Sequence, residues 1–249
     1  MELQLLPAGY HLQHVEHIDS TNAELKRQCL AGSGQHKWVL LADEQLAGKG
    51  RRAREWVSEA GNLFVSFSHS ITFSDEAING YSLAAGLAVR ETIAHYLPNQ
   101  KVEWKWPNDV LLEGKKASGI LLEHVKKDNQ HWLITGVGIN LTSAPKADVM
   151  WQSAALNDYD KTFPAKEEIL KTFVNYLDSY YKRVSNGEIE LLTKACLNCA
   201  ARLGEAIQVR LPQEELTGIF QGIDTQGNLI LAHESGQKLI SAGDIFFKE

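Results

Sequence analysis

A short segment rich in arginine and glycine stands out in a chain that is otherwise acidic. Residues 48–54, here called the basic loop, read Gly-Lys-Gly-Arg-Arg-Ala-Arg, whereas the whole chain of 249 residues has a net charge of −6. Guanidinium groups present planar forks that match phosphate and carboxylate oxygens, and glycine lets the backbone approach a ligand closely. The basic loop therefore predicts a binding site for a polyanion, with a solvated charge run as the alternative interpretation.

The basic loop also matches the Gly-x-Gly-x-x-Ala form of the dinucleotide-binding fingerprint. That fingerprint needs a helix directly after it. Here Gly61 and a predicted strand follow too soon for such a helix. We therefore assign no dinucleotide site to this segment.

Two further segments combine polar side chains with tight turns or glycines. Residues 105–109 read Lys-Trp-Pro-Asn-Asp and end a strand in a turn, and Lys116 precedes a buried-looking strand, so we expect its ammonium group to project across the sheet. Residues 136–140 read Gly-Val-Gly-Ile-Asn. Glycines inside a strand indicate either a bulge or a ligand that lies against the backbone.

The periodicity of the chain predicts the elements that position these segments. Thr21 to Glu24 is typical of a capping box, which begins a helix that ends near Gly32, and alternation over residues 62–71 predicts a half-buried strand. Three-and-four spacing predicts helices over 77–96, 169–184 and 188–200, and further strands are predicted over 37–42, 102–106, 110–112, 118–125 and 131–141. Because strands joined by short turns pair antiparallel, we predict an α+β fold with a central, largely antiparallel sheet and flanking helices.

The pattern of predicted elements changes after residue 200. Short strands are predicted over 206–211, 216–223, 228–232 and 238–247, at the spacing of a small barrel or sandwich. We predict two domains, residues 1–200 and residues 201–249. A unit of under fifty residues is marginal alone, so we expect the second domain to pack on the first.

Composition excludes several classes of protein. The acidic balance argues against a nucleic-acid binder, and no apolar run approaches the length of a membrane span, so we predict no DNA partner and no membrane partner. Residues 1–7 lack the features of a signal peptide and the three cysteines suit a reducing compartment, which together predict a cytoplasmic location.

Two patterns resemble metal sites. Cys196 and Cys199 form one Cys-x-x-Cys pair, but no second ligand pair lies at zinc spacing, and we favour a structural role on a helix. His11, His14 and His17 recur at every third position, which would scatter the rings over both faces of a strand. We predict no metal site formed by the protein alone.

Taken together, the ordered motifs resemble those of the biotin protein ligases. They are Ser20-Thr21-Asn22, Gln45 with the basic loop and Trp56, Lys105 to Asp109 with Lys116 and Gly119, and Gly136 to Asn140. The resemblance covers nearly the whole chain. It implies a catalytic domain of the class II synthetase-like biotin/lipoate ligase type and a C-terminal SH3-like barrel.

The resemblance also implies an activity and its substrates. Biotin and ATP, with Mg²⁺, would give biotinyl-5'-AMP, and biotin would pass to a lysine of a biotin carboxyl carrier protein, as in the biotin–[acetyl-CoA-carboxylase] ligases. When two anions meet at 4 Å, their repulsion is about 1 kcal/mol in water but about 4 kcal/mol in a partly buried site. Cations must offset that repulsion.

The same resemblance assigns roles to single residues. Lys116 and Arg51 would be catalytic. Biotin would contact Ser20, Thr21, Asn22, Gln45, Lys49, Gly50, Arg51, Lys116 and Gly119. ATP or the adenylate would contact Arg51, Arg52, Arg54, Trp56, Asn108, Lys116 and Asn140. For Trp56 a core position is the alternative, and Asp109 is either a helper for Mg²⁺ or a turn-stabilising residue.

The sequence departs from the family pattern in two ways. The family loop is most often Gly-Arg-Gly-Arg-Arg-Gly-Arg, whereas this chain has Lys49 and Ala53, and alanine restricts a positive φ. Only 19 residues precede Ser20, which predicts a monofunctional ligase without the helix-turn-helix of regulatory relatives. A lipoate-type ligase and a non-catalytic binding module are the alternatives, and a homodimer is left open.

Overall fold

The protein is described here from a computed structural model, which covers residues 6–72, 75–145 and 152–247. The start of the chain, on which the signal-peptide prediction rests, lies largely outside these residues. Among the described residues, no helix is both long and apolar enough to cross a bilayer.

A seven-stranded sheet forms the centre of the first part of the chain. Its strands are β1 (His11–Ile18), β2 (Trp38–Gln45), β3 (Leu63–Ile71), β4 (Val102–Lys105), β5 (Asp109–Leu112), β6 (Lys115–Lys127) and β7 (Gln130–Ile139). Their order across the sheet is β1-β2-β3-β7-β6-β5-β4. β1 and β2 run parallel, joined by helix α1 (Thr21–Leu30), and the other neighbouring pairs run antiparallel. The predicted mixed, largely antiparallel α+β sheet is confirmed.

Helices cover both faces of this sheet. α2 (Asp75–Tyr96), α3 (Lys166–Ser185) and α4 (Ile189–Asn198) contribute to the large hydrophobic core, and α1 packs on a smaller cluster that includes Leu25, Leu40 and Ile134. On α3, Phe173 and Leu177 are fully buried. Each such side chain contributes about 1.5–3 kcal/mol when it leaves water, so the packed helices hold the sheet rigid.

Strand β3 is not half-buried as the alternation predicted. Its residues from Leu63 to His69 are all buried, because α1 covers the face that carries the serines. Ser66 is buried against the start of α1, with its hydroxyl 2.6 Å from both Thr21 Oγ1 and Asn22 Oδ1. Ser66 therefore marks a polar contact with a helix, whereas of the three serines only Ser70 is exposed.

Three other details differ from the sequence predictions. β1, a parallel edge strand, was not predicted. Ser20 and not Thr21 caps α1, since its Oγ accepts from the Ala23 N–H at 3.4 Å. The strand predicted over 238–247 is two strands, β11 (Gly236–Ile240) and β12 (Asp244–Phe246). Residues 241–243 form no strand and lead the chain to the other edge of its sheet.

The C-terminal residues form a second sheet of five antiparallel strands. β8 (Ala206–Arg210), β9 (Glu215–Ile223) and β10 (Leu229–His233) join β11 and β12 in the order β11-β10-β9-β8-β12. Buried residues of this sheet, such as Ile207 and Phe220, belong to the same hydrophobic core as the first sheet. The closure of these strands into an SH3-like barrel stays a prediction.

The histidines and cysteines that resemble metal ligands have other environments in the structure. His14 Nε2 lies 2.9 Å from Asp43 Oδ1 on the neighbouring strand. Burial raises the pKa of the Cys196 and Cys199 thiols, which disfavours the thiolate form that binds metals. In the described part of the chain, no three His, Cys, Asp or Glu side chains are grouped to hold a metal ion.

Candidate active site

One cavity of about 350 Å³ lies against the first sheet, within the size range of small-molecule sites. The cavity gathers all of the predicted site residues except Arg52. They are Ser20, Thr21, Asn22, Gln45, Lys49, Gly50, Arg51, Arg54, Trp56, Asn108, Lys116, Gly119 and Asn140. Residues far apart in sequence therefore face one space.

The start of α1 forms a polar wall of this cavity. The Thr21 N–H donates to Gln45 Oε1 at 2.9 Å, and Asn22 Nδ2 donates to Glu123 Oε2 at 3.0 Å. Gln45 Nε2 in turn donates to Ser58 Oγ at 3.1 Å. These bonds fix amide and hydroxyl groups that can both donate to and accept from a planar polar ligand.

Three glycines form a flat floor on β6 and β7. A Cβ atom at Gly136 would lie 2.1 Å from Asn22 Oδ1, and one at Gly119 or Gly138 would lie within 2.7 Å of the Trp56 indole. β7 pairs in continuous register with β3 and β6 across these positions, so the bulge considered for this strand is absent there. Because these positions lack a Cβ atom, the side chains of Asn22 and Trp56 lie directly against the backbone of β6 and β7.

Trp56 lies across this floor at the edge of the basic loop. The Lys116 Nζ atom lies 5.3 Å from its ring centroid, close enough for a cation–π contact. Among the described residues, the indole N–H is buried without a hydrogen-bond acceptor. Since an unpaired buried donor is costly, a ligand that offers an acceptor here would gain affinity.

A buried cluster of charges lies beside the floor. Asp109 Oδ1 lies 2.8 Å from Lys116 Nζ, and Asp109 Oδ2 lies 3.5 Å from Lys105 Nζ. Burial alone would raise the pKa of Asp109, but the two ammonium groups outweigh it and hold that pKa below its usual value. Burial lowers the pKa of Lys105 to about 8. The cluster contains two ammonium groups and one carboxylate, so it has a net positive charge that can attract an anionic ligand.

Lys116 is fixed through its backbone. Its N–H donates to the Gln152 carbonyl at 2.8 Å, and its carbonyl accepts from the Ala154 N–H at 3.0 Å. Asn140 Nδ2 donates to that carbonyl and to the carbonyl of Ala154. Asn140 thus braces the backbone of Lys116, and its predicted contact with a nucleotide stays a prediction.

The basic loop closes over the cavity in a strained turn. Residues 51–53 form a short 3-10 turn in which Arg52 and Ala53 have φ values of 55° and 57°. A left-handed conformation costs a residue other than glycine roughly 1–2 kcal/mol. Ala53 therefore adopts the positive φ that glycine would adopt freely, and contacts elsewhere must compensate.

Arg51 and Asn108 meet at the mouth of the cavity. Arg51 Nη1 donates to Asn108 Oδ1 at 3.2 Å and to the Gly243 carbonyl at 3.3 Å, and burial lowers the pKa of the guanidinium. Asn108 is fixed by donation from its Nδ2 to the Ile120 carbonyl at 2.8 Å. The hydrogen-bond partners of Arg51 in the described structure are thus neutral oxygens.

Sequence reasoning gave no role to three charged residues that line this cavity, which are Glu55, Lys105 and Asp244. Lys105 was noted only as part of a motif, although its burial beside Asp109 makes it part of the cavity wall. Asp244, in the C-terminal sheet, lines the cavity and pairs with both Arg52 and Arg54. No local pattern marks an acidic residue 190 positions from its partners.

The fold is a mixed α+β fold with a second, C-terminal sheet, and its cavity has the size of a small-molecule site lined by arginine and lysine side chains. Residues 15–140 match the Biotin/lipoate A/B protein ligase family, and residues 203–248 match the biotin protein ligase C terminal domain. The chain belongs to the biotin/lipoate A/B protein ligase family.

Relatives of known name cover almost the whole chain. It is 37% identical to a biotin–[acetyl-CoA-carboxylase] ligase of Paracoccus denitrificans, over 92% of this chain and 97% of that protein. It is 32% identical to one of Mycobacterium tuberculosis, over 97% and 92%. A solved structure of the biotin protein ligase from Aquifex aeolicus in complex with biotin and ATP superposes with a TM-score of 0.80 at 26% identity, covering 94% of this chain and 97% of that one.

Proposed function

We propose that the protein is an ATP-dependent biotin protein ligase, which forms biotinyl-5'-AMP and transfers biotin to a lysine of a biotin carboxyl carrier protein. The observation that carries the proposal is the single cavity in which the polar wall from α1 meets Lys116, Arg51 and Arg54. A ureido ring needs the donors and acceptors of that wall. A carboxylate and a triphosphate need the cations.

The first step brings two anions together. A carboxylate oxygen of biotin attacks the α-phosphorus of ATP, and the bond from that phosphorus to the α,β-bridging oxygen breaks, so that the β- and γ-phosphates leave as pyrophosphate. Lys116 and Arg51 are the groups we propose to stabilise the growing negative charge, since preorganised cations in a site shielded from water act most strongly there.

Magnesium fits this site as a companion of ATP. The Asp109 carboxylate is already shared by Lys105 and Lys116, and the described residues offer no metal-binding group of three ligands. Mg²⁺ usually binds phosphate oxygens with only one or two carboxylates. It would therefore enter on the triphosphate and neutralise part of its charge.

In the second step the neutral amine of the carrier lysine attacks the acyl carbon of the adenylate, and AMP leaves as the acyl–phosphate bond breaks. Between the two steps the adenylate must be protected from water. We propose that the basic loop and Trp56 provide that protection, because they cover the floor on the side that faces solvent.

The proposal extends to the organisation of the chain. We propose residues 1–200 as the catalytic domain and residues 201–249 as a C-terminal domain that packs on it. We also propose a cytoplasmic location for the protein. The acceptor is the carrier part of a biotin-dependent carboxylase such as acetyl-CoA carboxylase.

Labelling of a carrier domain tests the proposal. Purified protein with ATP, Mg²⁺ and biotin is expected to add one biotin to the carrier, measured as a mass increase of the intact carrier domain. A carrier whose acceptor lysine is replaced by arginine is the control and is expected to stay unlabelled. Labelling with lipoate or octanoate but not with biotin would refute the proposal.

A further inference from the structure

The basic loop is tied to the C-terminal sheet by three arginines. Arg52 Nη1 lies 3.1 Å from Asp244 Oδ2, and Arg54 Nη2 pairs with the same oxygen. Arg51 Nη1 donates to the carbonyl of Gly243, the residue before. One short stretch at the start of β12 therefore holds both ends of the strained turn.

The anchor itself is rigid. Asp244 opens β12, which pairs with β8, and the next residue, Ile245, is buried. A Cβ atom at Gly243 would lie 2.9 Å from the side chain of Val209, so the backbone is packed closely at this point. The Asp244 side chain is only 14% exposed. Its carboxylate is thus a fixed point and not a flexible surface charge.

The turn needs such a fixed point. Arg52 and Ala53 both have positive φ, and residues 52–55 are exposed, so little burial holds them. Charge-assisted hydrogen bonds to a partly buried carboxylate are among the stronger polar contacts. The ion pairs with Asp244 are therefore suited to compensate for the strain of the turn.

We propose that Asp244 is a positioning residue: by holding Arg52 and Arg54 it keeps Arg51 over the cavity, which makes the C-terminal sheet part of the lid. Arg52 and Arg54 pair with Asp244, whereas the described hydrogen bonds of Arg51 go to the neutral oxygens of Asn108 and Gly243, which leaves its charge available to substrates. What Arg51 does to substrates rests on the proposed function, but the anchoring does not.

Replacement of Asp244 in the full-length protein tests the inference. Asp244→Asn removes the charge, Asp244→Glu retains it, and Glu214→Gln is the matched control, since Glu214 is an exposed acid in the turn between β8 and β9 of the same sheet. The first readout is the rate of tryptic cleavage after Arg51, Arg52 and Arg54 without ligand, followed by mass spectrometry. We expect cleavage in Asp244→Asn to be about tenfold faster than in the control, because the loop loses its charge-assisted bonds.

The second readout is biotin-dependent exchange of pyrophosphate into ATP. Asp244→Asn is expected to raise the KM for ATP by about tenfold or more, because a misplacement near 1 Å can cost up to about 100-fold. Asp244→Glu is expected to recover most of this loss and Glu214→Gln to resemble the wild type. Wild-type rates of cleavage and a wild-type KM in Asp244→Asn would overturn the inference.

Two further results keep the test decisive. If Asp244→Asn does not fold, cleavage of the wild-type loop at rising salt concentration replaces it, since salt screens partly exposed ion pairs. Unchanged cleavage then overturns the inference. If wild-type protein shows no biotin-dependent exchange, the proposed function fails, while the proteolysis still decides whether Asp244 holds the loop.

Discussion

The floor and the basic loop surround the same ligand space but are held by different physics. The floor is made of β6 and β7, which pair with each other through backbone hydrogen bonds. Asn22 and Trp56 occupy the space above its glycines. Residues 52–54 of the basic loop are exposed, Arg52 and Ala53 have positive φ, and ion pairs to another sheet hold the loop. Shape comes from the floor, whereas charge comes largely from the loop.

This difference indicates how each part responds to change. A packed floor tolerates no added atoms, so it fixes where a ligand lies. A loop held by charges can open without unfolding the sheet, which permits substrates to enter and products to leave.

Loss of the charge on the floor is expected to have the largest effect. Lys116→Ala should lower the rate of pyrophosphate release about 100- to 1,000-fold, the loss typical when one preorganised stabilising group is removed. Lys115→Ala is the matched control, because the neighbouring lysine is exposed. A wild-type rate in Lys116→Ala would show that the charge resides wholly in the loop.

A single methyl group on the floor is expected to have the next largest effect. In Gly136→Ala the new Cβ would displace Asn22, so the KM for biotin should rise by about 10- to 100-fold. Gly222→Ala adds the same methyl group to a strand position where nothing lies within 4 Å. Equal KM values for the two variants would contradict a close-packed floor.

Acid is expected to weaken the central sheet. Burial lowers the pKa of His69, on β3, to about 3, while an unfolded histidine titrates near 6.5. The unfolded state therefore binds the extra proton between these values, so the free energy of unfolding falls by up to about 1.4 kcal/mol per pH unit as pH drops below about 6.5.

Urea unfolding at several pH values measures this slope. In His69→Gln the slope is expected to decrease by the contribution of one proton. His17, an exposed histidine, provides the control variant His17→Gln. If His69→Gln and the wild type share one slope, His69 does not carry the effect.

Relief of strain in the loop is expected to have the smallest effect. Ala53→Gly removes the cost of a positive φ, about 1 kcal/mol, so the KM for ATP should fall by about fivefold. Ala60→Gly is the control, since Ala60 is exposed and lacks a positive φ. A higher KM in Ala53→Gly than in the control would mean that the closed turn is not the active one.

The sequence predicted the strands and glycines of the floor better than the residues that contact the basic loop. Period-two and three-and-four patterns identified most strands and helices, because local burial sets them. The ordered motifs named most of the residues that line the cavity. β3 was misjudged since alternating serines look solvent-facing until α1 is placed over them.

The missed contacts share one physical cause, which is distance along the chain. Asp244 meets Arg52 and Arg54 across more than 180 residues, and Glu123 meets Asn22 across 101. A lone acid has no periodicity and no local partner to reveal it. Lys105 was passed over because its burial depends on how the two sheets pack together.

The position of Trp56 gives the protein a built-in optical signal. Its indole lies over Gly119 and Gly138 and beside the Lys116 ammonium, whereas Trp104 and Trp132 are enclosed in the hydrophobic clusters. A ligand that enters the cavity should change the polarity around Trp56 and Trp106, which both line it, and leave Trp104 and Trp132, which do not, largely unchanged. The emission of the protein at the red edge of tryptophan excitation should therefore follow occupancy of the cavity in real time, with no added dye.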